Sequence, residues 1–133
     1  MMPFHKVLTV SLSDGQATKY PSSDPTLNGR TPEFGSDVKD RIEHRFCDSA
    51  DLVFYEGCRI GFGLVDGSHT YDYVINDFNK MLPNLAHDGV IVFHDYSVGH
   101  PEIMRAVASL MKAHTELEWE TFGVVAWCRK VFL

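Results

Sequence analysis

Four side chains able to do acid–base or metal chemistry fall in two short clusters. Asp66 and His69 stand in the run DGSH, and His94 and Asp95 in the run HDY. A carboxylate offers hard oxygen donors to a divalent cation. An imidazole titrates near pH ~6.5 and can take up a proton at neutral pH. A plainer use competes with both: an Asp at the end of a strand often caps the helix that follows. Two His-and-Asp turns exceed what capping requires if they meet in one crevice. Whether they meet depends on the elements that carry them.

The run from Cys58 to Val65 reads as a strand and ends abruptly at Asp66-Gly67-Ser68-His69. Tyr73, Val74, Phe78, Met81 and Leu82 then recur at spacings near three and four, one face of a helix. Pro83 does not itself stop that helix, but turn signals multiply through Asn84 and Asp88-Gly89. Val90-Ile91-Val92-Phe93 follows, a continuous run of the kind found in strands buried on both faces. Strand, helix and strand make a βαβ unit whose strands lie parallel, with their C-terminal ends on one edge. Open α/β sheets bind ligands at that edge. Asp66, His69, His94 and Asp95 are therefore expected to converge.

The rest of the chain supplies the frame. Phe4–Leu12 alternates enough to be a strand, and Ser13–Gly35 reads as a long loop of Asp, Gly, Pro, Ser and Asn. Ser36 or Asp37 is placed to cap a short turn. Arg41–Cys47 is expected to be a strand with Ile42 and Phe46 inward, and Ala50–Tyr55 one or two helical turns. His100-Pro101-Glu102 opens a helix, with proline at a favoured first-turn position. Ile103, Val107, Leu110 and Met111 give it an apolar stripe. Leu117–Thr121 and Val124–Lys130 form a hairpin around Phe122-Gly123. The expectation is a single domain spanning 1–133, with 13–35 as its loop.

The pattern VDGSHTYDYV…DF…LPNLAHDGVIVFHDY resembles the second half of a class I S-adenosylmethionine-dependent methyltransferase. It is most similar to the small-molecule group whose fourth strand ends in Asp-Gly-x-His and fifth in His-Asp-Tyr. The likeness runs from about Arg41 to Lys130. It implies an α/β, Rossmann-like, mostly parallel sheet with helices on both faces and a C-terminal antiparallel hairpin. The family's first strand, first helix and glycine-rich turn find no counterpart before Phe4, so the fold is expected to be N-terminally truncated. Phe4–Leu12 resembles the family's second strand, with Ser11 where an acid normally holds the ribose and Asp14 the nearest acid. It is then expected to move beside Gly61–Val65 or to be completed by a second copy, which implies a homodimer.

The resemblance also implies roles. S-adenosylmethionine would meet Asp48, Ser49 and Asp66, half of the usual pocket, and so bind weakly. Asp66 and Asp95 would hold Mg²⁺ or another divalent metal. Tyr96 stands where a third oxygen ligand is frequent, and His94 on the other side shifts the donor set toward Mn²⁺, Fe²⁺ or Zn²⁺. His69, where catechol-type relatives place a lysine, is the expected base, so catalysis falls to His69 and Asp66. Tyr71 and Tyr73 are candidates for lining an aromatic acceptor site, Tyr73 equally for the helix core.

Composition narrows the partners. A net charge of −6 over 133 residues argues against nucleic acid, because phosphate binding wants a basic face. No apolar run approaches the ~20 residues of a membrane helix, and no signal-peptide pattern opens the chain. Cys47, Cys58 and Cys128 are odd in number and widely spaced, as in a reduced, cytoplasmic protein, with Cys47 and Cys128 as small core residues. His44, His87, His100 and His114 have no acidic partner at useful spacing and read as surface. Three functions compete: methyl transfer to a small-molecule hydroxyl, a catalytically inactive Rossmann-like remnant serving as a binding or structural module, and a metal-dependent hydrolase or lyase.

Overall fold

The computed structural model describes residues 7–11 and 39–131. The expected loop at 13–35 and the cap at Ser36 or Asp37 lie outside the described residues. The chain divides into two compact units, 1–52 and 53–133.

In the first unit β1 (Val7–Ser11) pairs in parallel with β2 (Ile42–Phe46), in register from Val7 opposite Ile42 to Ser11 opposite Phe46. Thr9 Oγ1 and His44 Nδ1 meet across that register at 2.6 Å. Among the described residues the ladder partner of this first strand is β2. Asp48 ends β2 and caps a single 3₁₀ turn, Ser49–Asp51, after which Leu52 is extended. The one or two turns expected over Ala50–Tyr55 shrink to that.

The second unit holds β3 (Ile60–Val65), α1 (Tyr71–Met81), β4 (Leu85–Phe93), α2 (Pro101–Ala113), β5 (Leu117–Phe122) and β6 (Val125–Lys130). Its sheet runs β3-β4-β6-β5, with β3 parallel to β4 and the other neighbours antiparallel. This is the expected α/β arrangement: a parallel βαβ pair, then a C-terminal hairpin that turns at Gly123, whose φ is +58°. Pro101 opens α2, and Pro83 sits in a 3₁₀ turn, Leu82–Asn84, continuing α1.

Pleat alternation sorts the sheet into two faces. On one, Val65, Ile91, Phe93, Ala126 and Cys128 are buried with Val74 and Phe78 of α1 and Ile103, Ala106, Val107 and Leu110 of α2. The Phe78 ring lies 6.2 Å from that of Phe93 and 6.0 Å from that of Trp119. Burial pushes the Cys128 thiol up to about 11, so it behaves as an inert core residue. On the other face Phe62 and Leu64 are 66% and 54% exposed. Both described helices cover the first of these faces. No helix among the described residues is long and apolar enough to cross a membrane.

The Asp88-Gly89 pair does not end an element. It lies inside β4, where the ladder to β3 jumps from Ile60–Leu85 to Phe62–Val90, so β4 carries extra residues as a bulge. Asp88 supplies the reversed backbone, with φ +59°. Gly89 supplies the room: a Cβ there would stand 2.7 Å from both Ala86 O and Ile60 O.

Candidate functional site

Val65 and Phe93 are register partners at the C-terminal ends of β3 and β4. The residues that follow them, Asp66 and His94, therefore leave the sheet side by side, and His94 N donates to Val65 O at 3.1 Å. Val65, Asp66, Gly67, His69, Phe93 and His94 are among the residues lining a shallow crevice there, floored by Val74 and Ile103. The expected convergence of Asp66, His69, His94 and Asp95 is what the second unit contains.

Asp95 is the hub. Its Oδ2 lies 2.9 Å from His69 Nε2 and its Oδ1 3.1 Å from His94 Nδ1, with Asp66 Oδ1 3.3 Å from that same nitrogen. A carboxylate only accepts, so His69 donates its Nε2–H to Asp95, and Nδ1 of the neutral ring is left as the acceptor. Partial burial works to raise the Asp95 carboxyl. The hydrogen bond from His69 and the charges of His94, His100 and His69 outweigh it and hold the group below its ordinary value. The Asp95 backbone is left-handed, φ +59°, a conformation Asp and Asn tolerate better than most residues.

Capping does not account for these acids. Thr70 and His100 hold the N-cap positions of α1 and α2, and neither helix receives a side-chain cap bond from its N-cap. The first-turn amide of α1, Tyr71 N, instead donates to Glu102 Oε1 of α2 at 3.3 Å. Tyr71 is also claimed by α2: its hydroxyl donates to Ser109 Oγ at 3.2 Å, and the Arg105 guanidinium lies 4.7 Å from its ring centre. Its ring is part of the helix packing, so an acceptor site lined by Tyr71 is not what its contacts describe.

The donor set suits a divalent ion. Asp66, His94 and Asp95 each offer one ligand atom, all within 4.8 Å of one another. His94 Nδ1 is buried and makes no hydrogen bond among the described residues, although two carboxylates stand close to it. An orphaned nitrogen between two acids is chemically a ligand position, and its mixed N/O character favours a transition ion over magnesium.

Asp48 and Ser49 stand in the first unit. The Asp48 side chain accepts from Ala50 N at 2.9 Å, so one of its oxygens is spent on the local turn. The four histidines read as surface all have neighbours, His44 its contact with Thr9. His114 Nδ1 meets Glu116 at 3.0 Å with its ring 5.0 Å from Phe78, and the His100 ring lies 4.3 Å from that of His69. His87 Nε2 lies 3.3 Å from the neighbouring Asp88. No periodicity announces the His100 contact, because it joins two separate loops.

A family model described as a methyltransferase domain matches residues 6–96. The fold is similar to that of the O-methyltransferase NovP, with a TM-score of 0.60 and 14% identity over 71% of this chain and 40% of that one. It is similar to MycE of the mycinamycin biosynthetic pathway, solved with Mg, SAH and mycinamycin VI, with a TM-score of 0.57 and 16% identity over 97% of this chain and 45% of that one. A Clostridium thermocellum protein described as a candidate rRNA methylase gives a TM-score of 0.62 and 13% identity, over 95% of this chain and 75% of that one. The chain thus spans less than half the length of NovP and MycE. No curated protein matches it in sequence. The matched span runs from the first strand through β4 to the His-Asp-Tyr turn, and on that match the chain belongs to the methyltransferase-domain family.

Proposed function

We propose that this chain takes part in S-adenosylmethionine-dependent O-methylation of a small molecule, with His69 as the base. The observation that carries the reading is the Asp95–His69 pair, 2.9 Å apart, at the ends of two parallel strands beside Asp66. S-adenosylmethionine, when bound, supplies the methyl group; a divalent ion, when bound, lowers the acceptor hydroxyl's pKa. The chain's own residues do the rest. Asp95 fixes the His69 tautomer, leaving Nδ1 to receive the hydroxyl proton, and its negative charge steadies the imidazolium that results. Asp66, Asp95 and His94 are the residues that would hold the ion; in the second unit Asp66 is the residue that would meet the cofactor, and in the first unit Asp48 and Ser49 are its candidates. NovP is named an O-methyltransferase and MycE was solved with Mg and SAH, which supports this choice of acceptor atom and the use of a divalent ion.

A cytoplasmic location and self-association go with the reading. Cys58 and Cys128 form no disulfide, and β3 has a strand neighbour on one side only among the described residues.

The test is transfer of a labelled methyl group to a panel of catechols and glycosides, with and without Mg²⁺ or Mn²⁺. Wild type is expected to label a hydroxyl. His69→Gln is expected to retain its fold and lose on the order of 10²–10⁴-fold in rate. No transfer to any acceptor, together with no calorimetric signal for the cofactor, would leave the binding-module reading in its place.

A further inference from the structure

The Asp66, His94 and Asp95 set does not use up the histidines at this edge. His69, Asp95 and His100 make a second group, in which two imidazole nitrogens and one carboxylate oxygen all lie within 4.8 Å of one another. The two groups share only Asp95, which turns Oδ1 toward His94 and Oδ2 toward His69. His100 enters with its ring tilted 49° to that of His69, centroids 4.3 Å apart.

The chemistry of this group differs from that of its neighbour. Two imidazoles and one carboxylate make a nitrogen-rich facial set, which selects borderline transition ions, whereas Mg²⁺ prefers a shell of oxygens. Zinc bonds of about 2.0–2.1 Å to nitrogen and oxygen put ligand atoms about 3.3 Å apart around a tetrahedral ion. The His69–Asp95 separation of 2.9 Å sits close beneath that figure and opens to it by small side-chain rotations. His100 is held for the purpose by its backbone: its N–H donates to Ser97 O at 2.9 Å, and its carbonyl accepts from Ile103 N and Met104 N at 3.1 and 3.2 Å.

We propose that His69, Asp95 and His100 form a second cation site, selective for Zn²⁺, Co²⁺ and similar ions, whose filling withdraws His69 from proton transfer. Metal capture here stands on the geometry alone; its inhibitory consequence rests on the role of His69 proposed above. The ion replaces the His69 Nε2 proton that faces Asp95; the ring proton moves to Nδ1, so the nitrogen that would accept the hydroxyl proton is already occupied. A cell's free zinc would then oppose the ion held at Asp66.

The probe is Co²⁺ alone, titrated into the full chain in the presence of excess Mg²⁺ and followed by visible absorption. Wild type is expected to develop a d–d band at one equivalent, and Asp66→Asn to keep it. His100→Ala is expected to weaken binding at least tenfold, and His100→Gln likewise, with circular dichroism showing that each variant is folded. Titration curves for both His100 variants that match wild type would overturn the site, and so would loss of the band in Asp66→Asn. Inhibition is read separately, as the effect of Zn²⁺ relative to each variant's own zinc-free rate. Strong inhibition of wild type that His100→Ala relieves supports the proposal, and equal inhibition of both overturns its inhibitory half. A cobalt band that depends on His100 in a chain that transfers no methyl group would uphold the site and remove the methyltransferase reading.

Discussion

At the scale of single residues the site turns on Asp95, which faces one histidine with each oxygen. Its carboxyl lies below the ordinary carboxylate range in the folded chain. A depressed acid contributes stability above its unfolded value, about pH 3.9, and loses it as the pH falls through the folded value. The stability gap between wild type and Asp95→Asn in urea denaturation should therefore shrink as the pH falls below about 4. A gap that stays constant as the pH is taken from about 5 to about 2 would mean that the carboxyl is not held below its ordinary value. Asn is the right replacement because it also tolerates the left-handed backbone. The acids and His69 were legible in the sequence because strand ends point their following residues to one edge. His100 was not, since its partner comes from a different loop and its own neighbours, Gly99 and Pro101, say only that a helix begins.

At the scale of elements, continuous apolar runs and three-to-four spacing placed β3, α1, α2 and the hairpin within a few residues of where they lie. The misreading was Asp88-Gly89. That pair does reverse the backbone, as its type predicts, but strand pairing on both sides of it continues, and the reversal is absorbed as a bulge. Local chemistry named the kink, and only tertiary pairing decided that the strand carries on through it. Gly89→Ala tests this account, because the added methyl meets two carbonyl oxygens that belong to backbone. We expect a loss of about 1–3 kcal/mol, read as a lower urea midpoint, with the far-UV spectrum unchanged. An alanine variant as stable as wild type would show that the bulge opens at little cost.

At the scale of the whole molecule, every residue of the buried cluster from Val65 to Cys128 belongs to the second unit. The first unit, as far as it is described, offers a two-stranded ladder, a structure of marginal independent stability. Hydrogen exchange should accordingly find the slowest amides at Ile91, Phe93 and Cys128, and faster exchange along Val7–Ser11 and Ile42–Phe46. Equal protection of both would show that the two units open together. The left-handed backbone at Asp95 carries a further meaning, for descent. Glu would keep the charge but is a poor fit to that backbone, while Asn and Gly accept the shape and discard the charge. Genetic drift at this position thus has two easy exits, and both remove the Asp95 charge from an undisturbed scaffold, leaving Asp66 as the remaining acid of the crevice. Descendants that had lost the charge would be indistinguishable by their fold from those that kept it, and the identity of this side chain would tell them apart.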